Sequence, residues 1–342
     1  MRIRSRAPLR LGLAGGGTDV APYSDIFGGI VLNATICLYA HATLEPLAEP
    51  VVEFVAADIG ESRSFPAAFP LPTDAGLGLH CAVYNRVVQA FHGGRPIPLR
   101  LTTYGDAPPG SGLGSSSTLV VAMLKAFQEL LNLPLGDYEL AHLAYEIERI
   151  DMGLSGGKQD QYAATFGGFN FMEFYDNDRV IVNPLRVKNW IVSEFEASTL
   201  LYFTGASRES AKIIDDQRAG VQSGSQATLE GLHALKADAV QMKEAILKGD
   251  FQAVAAAMRQ SWEQKKRTAA SITNDRIDAT IGEAIAAGAS AAKVSGAGGG
   301  GFIMLLVDPA RRMAVQRVLE AHGGRIVGCR FTKTGTEGWK IL

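Results

Sequence analysis

Cysteine is scarce in this sequence of 342 residues. The three cysteines, Cys37, Cys81 and Cys329, lie far apart and form no CxxC or CxxH spacing. This pattern excludes a disulfide framework and a cysteine-based zinc site, and it favours a reducing compartment. The first six residues are basic, but Arg10 and the glycine run from Gly15 interrupt the apolar core that a signal peptide needs. We therefore expect a cytoplasmic protein.

Excess charge and long apolar stretches are also missing. The formal net charge is -2, so there is no broad basic surface to attract nucleic acid or an anionic membrane. One long stretch without a charged residue, 107–124, contains Pro108-Pro109-Gly110 and three consecutive serines, which excludes a membrane-spanning helix there. Any phosphate group that the protein binds must therefore be held locally, by backbone N–H groups and a few cations.

Glycine, by contrast, is abundant: the chain has 38, and they concentrate in four short tracts. Clustered glycines indicate places where the backbone must approach another group closely, because glycine has no side chain to obstruct the contact. The four tracts are therefore the first candidates for ligand-binding segments.

The order of the predicted elements indicates an α+β fold in two lobes. Short strand patterns open the sequence, and a hairpin is predicted from 169–174 and 180–184 around a polar turn. Helices dominate after a strand at 199–203. No low-complexity linker is evident, so we expect an N-terminal lobe over 1–190 to pack directly on a C-terminal lobe over 191–342.

The tract from Pro108 to Ser117 has the features of a phosphate-binding loop. A predicted strand leads into glycines, and an apolar helix begins at the serines. Free N–H groups and partial positive charge at a helix start attract phosphate. No Gly-Lys-Ser/Thr follows the glycines, so this is not a Walker loop, and a serine-capped helix after a turn is the plainer interpretation. The residues predicted to contact nucleotide phosphates are Pro109, Gly110, Ser111, Gly112, Leu113, Gly114, Ser115, Ser116 and Ser117.

Two carboxylates, Glu148 and Asp160, stand twelve residues apart on either side of a Gly-Gly turn. Lys158 is close to Asp160 in sequence and could keep that carboxylate ionised and ready to accept a proton. A Lys-Gln-Asp-Gln run is equally typical of an exposed loop. This segment alone therefore does not establish a catalytic role.

A third tract, near the start of the chain, places Arg10 and Asp19 around a glycine loop. An aspartate is a natural partner for paired sugar hydroxyls, and Arg10 could stabilise a phosphate or Asp160. A surface turn capped by the aspartate is the alternative interpretation.

The fourth tract, 293–302, matches GxGxxG at Gly296, Gly298 and Gly301. A predicted strand follows it where a dinucleotide-binding fold would have a helix, so the match does not indicate a dinucleotide site. The tract has more glycines than a turn requires, which favours a ligand lying against its backbone.

Together, the four tracts resemble the signature of the GHMP kinase superfamily, which includes galactokinase, homoserine kinase and mevalonate kinase. The serine tract is similar to its phosphate loop, 293–302 to its third motif, and the tract around Arg10 to its substrate motif. Thr18-Asp19 match the Thr-Asp of galactokinase, whereas that family's Glu-His pair is Gly16-Gly17 here. This departure argues against galactose as the substrate.

The resemblance implies a ribosomal-protein-S5-domain-2-like fold for the N-terminal lobe and a ferredoxin-like core for the C-terminal lobe, with the active site between them. ATP phosphates would rest on the serine tract, and Mg²⁺ would be held by Ser116 and Glu148. Asp160 would take the proton from the substrate hydroxyl, supported by Lys158 or Arg10.

Within the superfamily, the run from Gly156 to Gln161 is most similar to sugar kinases that act at the anomeric carbon, heptose 7-phosphate kinases more closely than L-fucokinases. This implies transfer to O1 of heptose 7-phosphate, on the route to a nucleotide-activated heptose. The substrate phosphate is expected on Arg208 and Lys212, at a predicted helix start; the alternative interpretation is that both are solvated helix residues. The sugar is expected to contact Gly16, Gly17, Thr18, Asp19, Gly157, Gly298 and Gly299.

Two alternatives remain open at this point. One is another sugar kinase of the superfamily, such as an L-fucokinase, with an unphosphorylated substrate. The other is a non-catalytic sugar or nucleotide sensor on the same scaffold. Such a sensor is expected to lack the aspartate or the glutamate, yet Asp160 and Glu148 are both present. The sequence does not specify an oligomeric state and allows a homodimer.

Overall fold

The computed structural model describes residues 1–205 and 210–341, which form two β-sheets with helices packed against them. Within these residues, no helix is both long and apolar enough to cross a membrane. The two sheets and their helices correspond to the two parts of the chain that flank the cavity described below.

The first seven strands form most of an eight-stranded sheet. The long second strand pairs with the first strand along one edge and with the fifth and sixth along the other. All pairs are antiparallel except that of the third and fifth strands. The strands are β1 (Arg2–Ala14), β2 (Gly29–Pro46), β3 (Val51–Ala56), β4 (Glu61–Pro66), β5 (Leu99–Gly105), β6 (Phe169–Phe174) and β7 (Val180–Pro184).

The second sheet has four antiparallel strands in the order β11-β8-β10-β9. Its central strand, β10, is buried along its whole length, which matches the unbroken apolar run of its sequence. The strands are β8 (Thr199–Phe203), β9 (Ala289–Val294), β10 (Phe302–Val307) and β11 (Arg325–Val327). The last strand, β12 (Glu337–Ile341), returns to the first sheet and pairs with β1.

Eleven α-helices of the described residues cover the sheets. They are α1 (Tyr23–Phe27), α2 (Gly78–Phe91), α3 (Ser115–Leu131), α4 (Asp137–Glu146), α5 (Gln159–Phe166), α6 (Asn189–Ser198), α7 (Ser210–Gln222), α8 (Gln226–Lys248), α9 (Phe251–Lys266), α10 (Asp275–Ala286) and α11 (Arg312–Ala321). A π-helical turn, Ile147–Asp151, continues α4, and short 3₁₀ turns span Ala270–Ile272 and Pro309–Arg311.

One buried cluster joins the two sheets. Leu9, Leu11 and Leu13 of β1 pack in the same core as Met258 of α9 and Phe302 of β10. Because apolar side chains of both parts share this core, the two lobes pack directly on each other, as the sequence predicts.

The predicted α+β class is confirmed, and so are the strands at 169–174 and 180–184. The pairing of β12 with β1 shows that the end of the chain contributes to the first sheet, a long-range contact that no local pattern signals. The proposed boundary between 1–190 and 191–342 falls at the start of α6 and stays a prediction.

The two predicted carboxylates lie in short helical segments. Asp160 lies in the first turn of α5, not in a loop. This helix has eight residues between Lys158 and Gly167, too few for its periodicity to be recognised. Glu148 lies in the π-helical turn that continues α4. Such turns are frequent at functional sites because they displace a side chain from its regular position.

Candidate active site

A cavity of about 600 Å³ opens between the two lobes. The N-terminal lobe lines it with the loop after β1, the serine tract before α3 and the segment that leads into α5. The C-terminal lobe contributes residues of α7 and α9 and the start of the glycine tract before β10. All four sequence tracts therefore reach one cavity.

The serine tract forms one wall and is held by the glycine tract of the other lobe. The Phe302 backbone N–H donates to the Ser111 carbonyl at 3.0 Å, and the Ser295 hydroxyl donates to the Gly112 carbonyl at 3.1 Å. A side chain at Gly112 could not be accommodated, because its Cβ would lie 2.5 Å from the Ser295 carbonyl oxygen. Glycine here lets the two loops interlock.

Most residues of this tract face the cavity, as predicted. The lining residues are Pro109, Gly110, Gly112, Gly114, Ser115, Ser116 and Ser117. The other two, Ser111 and Leu113, are buried beneath the loop. Their carbonyl groups accept hydrogen bonds from Phe302 and Arg10, so these two residues support the loop from behind. Because α3 begins at Ser115, its free N–H groups point toward this wall.

Ser116 and Glu148 meet at the same wall. The Ser116 hydroxyl donates to Glu148 Oε1 at 2.9 Å, and Gln161 Nε2 donates to Oε2 at 2.5 Å. Glu148 is only 1% exposed, yet its close partners are neutral, and Arg149 Nη1 is 3.8 Å away. A buried carboxylate whose nearest cation is 3.8 Å away, beside a phosphate-type loop, fits a bound cation.

This donor set suits magnesium better than a metal held by protein alone. Among the described residues there is no cluster of three or more His, Cys, Asp or Glu side chains that could hold a metal ion. Magnesium is usually bound by one or two carboxylates together with substrate phosphates and water. The Ser116–Glu148 pair therefore fits Mg²⁺ that binds together with a nucleotide.

Asp160 and Arg10 form an ion pair at the centre of the cavity. Arg10 Nε and Nη2 both lie 2.6 Å from Asp160 Oδ1, and Arg10 Nη1 donates to the Gly112 carbonyl at 2.8 Å. The arginine is buried, whereas the Asp160 side chain is 21% exposed and lines the cavity. Arg10 thus connects the candidate base to the serine tract, and Asp160 Oδ2 accepts no hydrogen bond from a described residue.

Lys158, the other cation considered for Asp160, lies elsewhere. Its ammonium pairs with Asp178 at 2.6 Å, lies 3.9 Å from Asp25 and sits over the ring of Tyr145. Residues at the start of α5 point in different directions around the helix, so Lys158 faces away from Asp160. Of the two cations, the structure places only Arg10 against the aspartate.

The loop after β1 forms the opposite wall. Asp19 is buried and accepts hydrogen bonds from the Gly17 N–H at 3.2 Å, the Gln159 N–H at 3.1 Å and Gln159 Nε2 at 3.1 Å. Asp19, Gly16, Gly17 and Gly157 line the cavity, as predicted for the substrate. Thr18 does not; its buried hydroxyl lies 2.8 Å from the carbonyl oxygens of Gly15 and Ile30, and this contact shapes the loop.

Substitution of Gly157 tests this contact. The Cβ of an alanine would lie 1.9 Å from Asp19 Oδ2, so the two segments must separate. We expect Gly157→Ala to lower kcat/KM for the acceptor by up to about 10²-fold, the typical cost of misplacing a binding group by about 1 Å. Steady-state kinetics with acceptor and ATP varied separately would measure this. Gly328→Ala, where the Cβ meets open space, is the matched control, and normal kinetics for Gly157→Ala would contradict the assignment.

The remaining predicted contacts are not brought to this cavity. Gly298 and Gly299 are buried under the tract, where the Gly299 N–H donates to the Ile272 carbonyl at 2.7 Å; Gly296 and Ala297 line the cavity instead. Lys212 is exposed on α7 and does not line the cavity. Arg208 lies outside the described residues.

Lys265 is a site residue that the sequence did not reveal. It projects from α9 of the C-terminal lobe into the cavity and donates from Nζ to the Gly16 carbonyl at 3.0 Å. Lys265 is 249 positions from Gly16 in the sequence. The hydrophobic pattern of its helix is the same as that of an ordinary amphipathic surface helix, so it gives no sign of a site residue. Gln159 and Arg149 also line the cavity, and only their proximity to Asp160 and Glu148 could have indicated them.

The environment of Lys265 is unusual for a lysine. Burial lowers the pKa of its ammonium to about 8; Asp19 opposes this shift, and Arg10 adds to it. The pKa of Lys265 therefore lies in the range where the group loses its proton under mildly alkaline conditions.

Comparison with known proteins defines the family. The model for the GHMP kinase N-terminal domain matches residues 79–168, and the model for the GHMP kinase C-terminal domain matches residues 242–325. The D-glycero-alpha-D-manno-heptose 7-phosphate kinase of Campylobacter jejuni is 50% identical over 339 residues, which cover 99% of each chain.

Two further proteins are similar over almost the whole chain. The crystal structure of a D-glycero-D-manno-heptose 1-phosphate kinase from Bacteroides thetaiotaomicron is 48% identical, covers 99% of both chains and superposes with a TM-score of 0.86. The L-fucokinase/L-fucose-1-P guanylyltransferase of Bacteroides fragilis is 27% identical over 93% of this chain and 36% of its own length. The chain described here belongs to the GHMP kinases, and its two-lobed fold is the fold of that family.

Proposed function

We propose that this protein is an ATP-dependent sugar kinase that phosphorylates O1 of D-glycero-D-manno-heptose 7-phosphate. The observation that carries the proposal is the Arg10–Asp160 pair in one cavity with the serine tract and the Ser116–Glu148 pair. These groups supply, in one place, a candidate base, a phosphate wall and a cation site. The 50% identity to a heptose 7-phosphate kinase supports the choice of sugar.

The serine tract would bind the nucleotide phosphates. Its lining residues present the N-terminus of α3, where backbone N–H groups and the partial positive charge of the helix favour anions. Ser116 and Glu148 would hold Mg²⁺, whose charge offsets that of the phosphate oxygens. Gln161 donates to Glu148 and fixes the orientation of that carboxylate.

Asp160 would accept the proton of the attacking sugar hydroxyl. Its Oδ1 is fixed by Arg10, which leaves Oδ2 to face the substrate. Arg10 would hold the aspartate in place and, through the Gly112 carbonyl, fix its position relative to the phosphate wall. Phosphoryl transfer depends mainly on positioning and charge stabilisation, so this rigid connection supplies much of what the reaction needs.

Asp19, Gly16, Gly17 and Gly157 would receive the acceptor on the opposite wall. The names of two relatives differ in the phosphate that the heptose already carries, at position 7 in one and position 1 in the other. We choose the 7-phosphate, because the heptose 7-phosphate kinase is more similar to this chain in sequence than the heptose 1-phosphate kinase, at 50% against 48% identity.

Release of ADP from Mg-ATP over a panel of acceptors tests the proposal. The panel contains heptose 7-phosphate, heptose 1-phosphate, free mannoheptose, L-fucose, galactose and mevalonate. We expect the highest kcat/KM with heptose 7-phosphate. A preference for heptose 1-phosphate would support the assignment as a kinase but would mean that a hydroxyl other than O1 is phosphorylated. A preference for L-fucose would favour the alternative that the fucokinase relative supports, and no turnover at all would favour a non-catalytic sensor.

A further inference from the structure

Lys265 carries a buried charge that the described residues do not neutralise. The side chain is 4% exposed, and its one hydrogen bond within the described part of the chain goes to a neutral acceptor, the Gly16 carbonyl. No described carboxylate lies within the 4.0 Å of an ion pair. Buried charges in proteins are normally paired, because an unpaired charge in a poorly solvated position is costly. The two remaining N–H groups of Lys265 are therefore available to a ligand.

The lysine stands at the acceptor side of the cavity. Its Nζ bonds to the loop after β1, whereas the phosphate wall belongs to the serine tract. A Cβ on Gly16 would lie 3.7 Å from Lys265 Nζ and 3.8 Å from Gln159 Nε2, so the absence of that side chain leaves open space beside both donors. Gln159 Oε1 is buried and has no partner among the described residues, so it can accept a hydrogen bond from a sugar hydroxyl.

We propose that Lys265 binds the phosphate that the acceptor sugar already carries, in the space left open by Gly16. This inference rests on the proposed function and adds the group that distinguishes a phosphorylated acceptor from a free sugar. A dianionic phosphate neutralises the ammonium and accepts charge-assisted hydrogen bonds from its two unused N–H groups. The adjacent Gln159 side chain then orients the sugar between the phosphate and Asp160.

The other cationic part of the molecule fits this role less well. A smaller cavity of about 300 Å³ beside the first is lined by Arg149, Lys158 and Arg218. Lys158 is already paired with Asp178 at 2.6 Å, and Arg218 lies 3.9 Å from Asp215. Among the described residues, each of these cations has a carboxylate within 4.0 Å, whereas Lys265 has none at that distance.

Two acceptors that differ only in the phosphate test the proposal. Kinetics would be measured for the wild type, Lys265→Met and Lys266→Met with heptose 7-phosphate and with free mannoheptose. Lys266 is the matched control, because it follows Lys265 on α9 but pairs with Glu263 at the surface, 2.8 Å away. We expect Lys265→Met to raise the KM for the phosphorylated sugar about 10- to 100-fold, the usual cost of losing a hydrogen bond to a charged group. The KM values for free mannoheptose and ATP, and all those of Lys266→Met, should change by less than about threefold.

A direct binding measurement separates failure of this proposal from failure of the proposed function. Calorimetric titration with heptose 7-phosphate in the absence of ATP does not depend on turnover. Lys265→Arg keeps the positive charge and should keep a preference for the phosphorylated sugar. This variant therefore distinguishes loss of the charge from a change in packing caused by the methionine. Wild-type turnover of heptose 7-phosphate with unchanged binding to Lys265→Met would overturn this proposal alone. Absence of binding and turnover in the wild type would overturn both.

The pH dependence gives a readout that a structural role of Lys265 would not produce. With a lysine pKa of about 8, wild-type affinity for the sugar phosphate should fall about tenfold between pH 7 and pH 9, because binding then requires uptake of a proton. A phosphate ester stays dianionic in this range, since its second pKa is about 6. Lys265→Met should not show this fall, and an equal fall in both proteins would count against the proposal.

The charged groups that face Lys265 are Asp19 and Arg10 of the N-terminal lobe and Lys293 of β9. Burial lowers the pKa of Lys293 to about 7, helped by Lys265 and Arg10 and opposed by Asp238 of α8. Burial raises the pKa of Asp238 to about 6. Lys265→Met also removes the contribution of Lys265 to the lowered pKa of Lys293, but Lys293 does not line the cavity and donates to the Leu13 carbonyl at 3.1 Å, so its titration should not produce the tenfold fall.

Discussion

Asp160→Asn should lower kcat by about 10²–10⁴-fold, the usual contribution of a general base. The amide has nearly the same shape as the carboxylate and can still accept a hydrogen bond from Arg10, but it cannot take a proton from the acceptor hydroxyl. Residual activity is expected, because positioning and charge stabilisation supply most of the catalysis of phosphoryl transfer. The KM for ATP should change little, since the nucleotide wall belongs to the serine tract.

The measurement is steady-state kinetics at saturating Mg-ATP with the acceptor varied. Asp176→Asn is the matched control, because it removes the same charge from an exposed residue of the β6–β7 turn that does not line the cavity. Near-normal turnover by Asp160→Asn would contradict its assignment as the base. An equal loss in the control would point to a general effect of charge.

Glu148→Gln should weaken the response to magnesium. The new amide can accept from Gln161 and donate to the Ser116 hydroxyl, so the local structure should survive while the negative charge is lost. We expect the Mg²⁺ concentration for half-maximal rate to rise by about 10- to 100-fold, comparable to other losses of groups that support a bound metal. The rate measured as a function of Mg²⁺ at fixed ATP would show this.

Glu146→Gln provides the comparison for Glu148. It lies two positions earlier and pairs with Arg86 at 2.8 Å, with a side chain that is 30% exposed. Exposed ion pairs contribute up to about 1 kcal/mol to stability, so this variant should keep its normal response to magnesium. A shift of the same size in both variants would remove the support for a metal site at Glu148.

The local patterns in the sequence predicted much of the fold. The alternation of Val51–Ala56, with Val52, Phe54 and Ala56 buried, is the period of a half-buried strand. The helix at the serine tract was recognised from its apolar run after the glycines, although its N-cap is Gly114 and no side chain caps it, and the polar turn between β6 and β7 was recognised from its turn residues. Each of these features depends on residues that are neighbours along the chain.

What the sequence could not supply was contact between distant segments. The choice between Arg10 and Lys158 depends on the direction in which side chains leave α5, and the spacing of Lys158 and Asp160 was misleading. Lys265 contacts a loop 249 residues away, and β12 pairs with the first strand of the chain. These positions are specified by the packing of the two lobes, which no periodicity encodes.

The ³¹P NMR spectrum of the product formed from heptose 7-phosphate and Mg-ATP tests the central claim most directly. Transfer to O1 should yield ADP together with a second sugar phosphate signal that couples to the anomeric proton, and Asp160→Asn should form this product far more slowly. A new phosphate coupled to any other sugar proton, or no consumption of ATP with this acceptor, would contradict it.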